Sequence, residues 1–340
     1  MQQIVQYTLF DNNLIAPVYG NRDYLIKGDL KFIDLFAGIG GFRIALERIG
    51  AKCVFSSEWD KYAVQTYVAN FGEQPCGDIS KISTSQIPDC DILCAGFPCQ
   101  PFSSIGKREG FQHKTQGTLF YEIIKILQDK KPIAFILENV PGIVNHDGGK
   151  TLETILESLN QINYDVSYQL LNAADYGIPQ HRNRIYFVGL NRNYNSNAVN
   201  YTFPEGKKDR VEIGQYIESH YDKYCISQHL QQTYLFKKDD GRPQLVDRNS
   251  DICVKTLVST YHKIQRLTGT FVKDGKTGIR LLSENECKAI MGFDRDFVIP
   301  VSRTQMYRQF GNSVAIPVVT EIARNLVKKI KKMNVVYTSN

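Results

Sequence analysis

Residues 31–50 read KFIDLFAGIGGFRIALERIG. Phe32–Phe36 is a short apolar run bounded by turn residues, as expected of a strand buried in a sheet. Gly38–Gly41 follows as a tight turn. Phe42–Ile49 then takes helical spacing and closes on Gly50 as its C-terminal cap. Strand, glycine turn and helix in that order open an α/β unit, and the pattern repeats. Cys53–Ser57 is a second strand, and Asp60–Asn70 a helix with Asp60 as N-cap. A short third strand is expected to end near Asp78, with Asp91–Ala95 as the fourth. Leu119–Gln128 is helical, and Ile133–Glu138 is a continuous apolar run ending in an acid. Thr151–Leu159 is helical again; Val166–Leu171 and Arg184–Leu190 are strands. This alternation predicts an α/β fold with a doubly wound, mainly parallel sheet.

A chain of 340 residues with 42% apolar content is long enough for two domains. Its 41 basic and 35 acidic residues leave a net charge of +6, compatible with a nucleic-acid partner but also with plain solubility. The 8 cysteines include no Cys-x-x-Cys pair and suggest neither a metal site nor a disulfide framework. Met1–Leu14 lacks a basic-then-apolar leader, and no run approaches about 18 apolar residues. A reduced, cytoplasmic protein away from the membrane is therefore expected. Beyond the Asn-rich stretch Asn191–Asn200 the composition shifts. Phe203–Thr270 is polar and weakly periodic but keeps its aromatics, which suits a smaller irregular domain. Lys207, Lys208 and Arg210 in it are candidate phosphate contacts, although such charges usually form a solvated face. Leu281–Met291 reads as a helix with a Ser283–Glu286 capping box. Gln305–Gly311 and Ile316–Val327 are helical, followed by a basic tail at Lys328–Lys332. The expected division is an N-terminal arm (1–30), a first domain (31–203, completed by 303–331), a second domain and hinge (204–302) and a tail (332–340).

The glycine turn allows close backbone approach to a ligand at a helix N-terminus. It departs from the dinucleotide fingerprint because Arg43 stands at the third glycine position, which argues against a pyrophosphate and a nicotinamide-dependent oxidoreductase. Glu58 ends the second strand 20 residues after Gly38, where an acid binds ribose hydroxyls. Trp59 could lie on a flat heterocycle, and Asp78 could accept from an exocyclic amine. These groups in order favour a nucleoside without phosphates, a description S-adenosylmethionine fits.

In Asp91–Ser103, DILCAGFPCQPFS, a buried strand runs into Gly96 and a proline-bracketed turn. Pro98 stiffens it and Cys99 stands at its mouth, just past a strand's carboxyl end. Glu138 ends a buried strand, where desolvation should raise its pKa and favour an acid role; pairing with an arginine is equally compatible. Arg182 and Arg184 are two residues apart before another strand and should point to the same side.

With these residues in place, the chain resembles the DNA cytosine-5 methyltransferases of bacterial restriction–modification type, from about Lys31 to Val327. The likeness rests on FIDLFAGIGG, Glu58-Trp59, GDIS, GFPCQPFS, ENVPG, QHRNRIYFVG, RLLSENECKAIMGF and QMYRQFGNSVAIP, in the family's order. The gap between Gly189 and Leu281 falls where the family carries its variable target-recognition region. Asp294 stands where the family often has proline and reads as a harmless turn change.

The resemblance implies a Rossmann-like S-adenosylmethionine-dependent catalytic domain, with S-adenosylhomocysteine as product and no metal. Cys99 would add to C6 of cytosine, Glu138 would engage N3 and the exocyclic amine, Arg184 would approach O2, and Arg182 would orient Glu138 and substrate. The target must be flipped from the duplex, with Ser104–Thr118 as the lid. Phe36, Gly38, Ile39, Gly40, Gly41, Glu58, Trp59, Asp78, Ile79, Pro98, Leu119, Asn312 and Ser313 are implied at the cofactor. Gln100, Ser103, Ser104, Lys107, Arg108 and Thr256 are implied at DNA. The implied partner is double-stranded DNA, with any cognate restriction endonuclease acting separately and the protein monomeric. Transfer-RNA cytosine-5 methyltransferases share the motifs, but the long variable region favours duplex DNA. A catalytically silent DNA-binding module is a further alternative, opposed by the intact Cys99, Glu138 and arginine pair.

Overall fold

The computed structural model describes residues 6–7, 16–17, 30–97, 119–194, 200–207 and 210–333. At the start of the chain, β1 (Gln6–Tyr7) and β2 (Ala16–Pro17) form a two-residue antiparallel ladder. The central sheet is built from β3 (Lys31–Leu35), β4 (Lys52–Ser57), β5 (Ile92–Gly96), β6 (Ala134–Asn139), β7 (Tyr164–Asn172) and β8 (Asn183–Asn191). Their order is β4-β3-β5-β6-β8-β7. β3 pairs in parallel with β4 and β5, and β5 with β6, whereas β8 runs antiparallel to both β6 and β7. The expected mainly parallel sheet is therefore present, with one reversed strand.

Burial on both faces explains the continuous apolar runs. One face carries Phe32, Cys94, Ile136 and Val188, the other Ile33, Leu93, Leu137 and Phe187. The first is covered by α1 (Gly41–Glu47) and α8 (Ile316–Lys332), which pack on each other. In α8, Ile316, Val319, Ala323, Leu326 and Ile330 form the buried stripe that brings the chain's last helix back onto its first. The second face is covered by α3 (Leu119–Lys130) and α4 (Lys150–Gln161).

α2 (Lys61–Phe71) starts where expected, because Asp60 Oδ1 accepts from the Tyr62 and Ala63 amides. After α1, Gly50 takes φ +85 while its N–H and that of Ala51 donate to Glu47 and Leu46, the cap expected there. Three expectations need correction. No third strand ends near Asp78: Cys76 makes only an isolated bridge to Ser57, and Asp78 then caps a 3-10 turn. α6 (Glu284–Met291) starts after Ser283, because the capping box fixes the first turn there and leaves Leu281 and Leu282 outside. Lys328–Lys332 is the last turn of α8 rather than a tail, since the apolar stripe runs on to Ile330.

Between sheet and closing helices lie α5 (Gln228–Leu230), β9 (Gln244–Val246) and β10 (Thr270–Val272), the strands pairing in parallel. α7 (Arg303–Asn312) then leads into α8. Asp294 is more than a turn change: Arg48 Nη2, just after α1, reaches both its carboxylate oxygens at 2.8 Å. Asn70 grips the Val298 backbone, donating to its carbonyl at 2.8 Å and accepting its N–H at 2.7 Å. The 292–298 segment is thus tied to both first helices.

Candidate active site

The glycine turn sits on the carboxyl side of β3. Phe36 adopts φ +57, a conformation a bulky side chain rarely takes. It is held by the next residue, whose N–H donates to the Ser57 carbonyl at 2.9 Å. Gly38 and Gly40 follow at φ +56 and +84. A Cβ on Gly38 would meet nothing, so the turn is open there, whereas one on Gly40 would collide with the Phe71 ring. Ile39 is buried beneath the turn. On Gly41, a Cβ would lie 2.8 Å from Ser313 Oγ, so the final motif does come back against the turn.

Glu58 faces this opening. Its Oε2 accepts from the Gly38 amide at 2.7 Å, and Oε1 from the Trp59 and Asp60 amides at 2.9 and 2.7 Å. Burial raises its pKa; the three amides only partly offset that. A carboxylate has about four acceptor positions, so one remains for a hydroxyl. Trp59 beside it is 77% exposed, unusual for an indole. Asp78 spends Oδ1 on the Ser80 amide and hydroxyl, which lower its pKa, and Ile79 packs into the core behind it. Arg43, which could have met a phosphate, is turned away. Its guanidinium binds Glu47, Tyr67 and Glu73 at 2.7–3.0 Å and lies over the Phe71 ring. Open turn, acid, exposed indole and diverted arginine fit a nucleoside without phosphates. Leu119 is half-buried at the start of α3, Asn312 is exposed, and Ser313 is half-buried.

The second cluster lies where β5 and β6 end. Gly96 pairs with Glu138, and a Cβ on Gly96 would sit 3.7 Å from Glu138 Oε2. Arg184 Nε lies 3.0 Å from Glu138 Oε1, both side chains nearly buried. Burial raises the Glu138 pKa against the pull of Arg184 and, less, Arg182, so desolvation and pairing coexist. Asn139, unmarked in the sequence reading, holds the end of β5 by donating to the Phe97 carbonyl at 3.0 Å. Its only sequence signal is its place in ENVPG. Pro98, Cys99, Gln100, Ser103, Ser104, Lys107 and Arg108, the lid Ser104–Thr118 and Lys208 lie outside the described residues.

Arg182 and Arg184 do not share a target. Arg182 is 2% exposed and donates to the carbonyls of Leu257, Gly311 and Ser313 at 3.1, 3.0 and 2.6 Å. Burial, then the charge of Arg184, pulls its pKa down to about 9. Thr256 is half-buried and donates its hydroxyl to the His181 carbonyl at 2.6 Å. Arg210 pairs with Asp175 at 3.3 Å.

A sequence profile described as C-5 cytosine-specific DNA methylase matches residues 30–328, nearly the whole described chain. The chain belongs to that family. Type II methyltransferase M.MspI of Moraxella sp is 60% identical over 309 residues, covering 91% of this chain and 73% of the relative. Type II methyltransferase M.BsuFI of Bacillus subtilis is 54% identical over 302 residues (88% and 73%). M.HhaI of Haemophilus parahaemolyticus is 41% identical over 321 residues (90% and 96%). Among solved structures, the Entamoeba histolytica methyltransferase EhMeth superposes with a TM-score of 0.70 at 21% identity, covering 89% of this chain and 99% of that one. The S. pombe Dnmt2 methyltransferase gives 0.69 at 20% identity (90% and 100%). At such identities these two likenesses speak for the fold alone. The methyltransferase also has no helix long and apolar enough to cross a membrane among its described residues.

Proposed function

We propose that the protein transfers a methyl group from S-adenosylmethionine to C5 of a cytosine flipped out of duplex DNA, in one short sequence context, as the protecting arm of a restriction–modification system. The observation that carries this reading is the buried Glu138–Arg184 pair at the strand end beside Gly96, from which the chain runs on toward Cys99. Cytosine C5 is too poor a nucleophile to accept a methyl group unaided. Addition of the Cys99 thiolate to C6 raises the electron density at C5. Glu138, whose pKa burial raises against the pull of Arg184, hydrogen-bonds N3 and the exocyclic amine, which favours cytosine over thymine. Arg184 sets the carboxyl's orientation and approaches O2. S-adenosylmethionine, held by the glycine turn, Glu58 and Trp59, supplies an electrophilic methyl group. With the methyl group on C5 and S-adenosylhomocysteine as the leaving group, water takes the C5 proton, the Cys99–C6 bond breaks and the thiolate is restored. The protein acts as a monomer, with any cognate endonuclease separate.

The test is transfer from labelled S-adenosylmethionine to duplex DNA and to transfer RNA, with bisulfite sequencing of the products. Methylated cytosines confined to one DNA context are expected. Cys99→Ser should abolish transfer while DNA binding persists. Equal turnover by that variant would sink the covalent route, and label on transfer RNA alone would move the substrate.

A further inference from the structure

Leu257 lies in the variable region, and its peptide is gripped from both sides. Its N–H donates to Gln180 Oε1 at 2.8 Å, while its carbonyl accepts from Arg182 Nη1 at 3.1 Å. Through Nη2 the same guanidinium donates to the Gly311 and Ser313 carbonyls. Gly311 lies so close to Val258 and Ser259 that a Cβ on it would collide with their backbone. Ser313 in turn touches the glycine turn, its Oγ 2.8 Å from where a Gly41 Cβ would be. A chain of direct contacts thus runs from the variable region, through one planar cation, to the N-terminus of α1.

Arg182 suits a strut better than a purely local role. The guanidinium is rigid and forked, so its bonds to the two sides have a fixed mutual geometry. Its partners among the described residues are carbonyls, and its Nε is buried without one. Displacing any carbonyl would strand a further donor of a buried cation, a larger loss than for a neutral group. A shift of the Leu257 backbone must therefore be followed by Gly311–Ser313.

We propose that Arg182 is a positioning residue that couples DNA binding at the variable region to methyl-donor binding at the glycine turn. The inference rests on the assignment of those two regions to DNA and to S-adenosylmethionine. Linkage makes the effect reciprocal: DNA tightens the cofactor site by the factor by which cofactor tightens DNA binding.

The experiment measures S-adenosylhomocysteine affinity by calorimetry on the full chain, alone and saturated with a duplex carrying the bisulfite-mapped context. Wild type should bind about tenfold more tightly with DNA present, within the usual range of coupling between sites. In Arg182→Lys and in Gly311→Ala, which disturbs the joint from its other side, the ratio should fall to within about twofold of unity. A merely structural tie would lower stability, or both affinities, and leave the ratio unchanged. A wild-type ratio near unity, or a folded variant keeping the wild-type ratio, overturns the proposal. If Arg182→Lys fails to fold, Gly311→Ala decides. No binding of S-adenosylhomocysteine to wild type, with or without DNA, would strike the cofactor assignment itself.

Discussion

The first α/β units and the variable region are held together in different ways. From β3 to α2 the hydrogen bonds are mostly ladders, helices and caps, and Glu58, proposed to face the cofactor, binds the amides of Trp59 and Asp60 and that of Gly38 on the glycine turn. From about Val211 to Arg280, ladders are few and long side chains bond to backbone across the region. Arg266 donates to the Leu235 and Lys238 carbonyls, and Gln231 to those of Ile226 and Thr277. Arg280 binds Asp274 and, in a bidentate pair, Glu286, with both members of that pair fully buried. A region organised by a few buried cations leaves its surface loops free to vary, whereas the glycine turn is specified residue by residue. The lesson is that irregular composition here reflects a different kind of order.

The largest test of that contrast is Arg280→Met. It leaves Glu286 buried without its cation, a loss of about 3–5 kcal/mol. Urea denaturation should show an early transition that abolishes DNA binding, with S-adenosylhomocysteine binding persisting to higher urea. One cooperative transition with DNA binding intact would break the contrast.

Gly40→Ala should strike the other region. The new Cβ meets the Phe71 ring at a φ that only glycine takes readily, costing on the order of 1–3 kcal/mol. S-adenosylhomocysteine affinity should fall about tenfold or more, with cofactor-free DNA binding unchanged. Unaltered cofactor affinity would move the ligand away from the turn.

A test of a different kind, read as a pH dependence rather than a single loss, comes from Asp34 in β3. Burial drives its pKa well above the ordinary carboxylate range, and the nearby Arg43 only partly offsets this. Among the described residues, neither of its oxygens meets a donor in full hydrogen-bond geometry, and the Arg43 backbone N–H supplies only part of the offset. With the folded pKa raised, stability is greatest below the unfolded pKa and declines as pH rises from there toward the folded value. The slope approaches about 1.4 kcal/mol per pH unit. Asp34→Asn removes that loss. Its melting temperature relative to wild type should therefore climb from pH 4 to pH 8, and a flat difference would show that the site ionises freely.

The sequence by itself determined the alternation of strands and helices, the glycine turn, the Asp60 and Gly50 caps and the Ser283–Glu286 box. Each depends on residues a few positions apart, so its physics is local. The same locality misled the reading at Asp78, where a side chain that caps its own turn took the place of a strand. It also misled the reading at Lys328–Lys332, where charge hid a helix continuing through Ile330. Only the tertiary structure decided the reversal of β8, the separate partners of Arg182 and Arg184, and the pairing of Arg48 with Asp294. The two ion pairs join residues 46 and 246 positions apart (Arg184 with Glu138, Arg48 with Asp294), and the carbonyls that the Arg182 guanidinium binds lie 75 to 131 positions away. No local propensity encodes such a pairing. Packing two cores against one sheet brings the groups together, and at Glu138, Arg184 and Arg182 burial then favours pairing with charges or carbonyls.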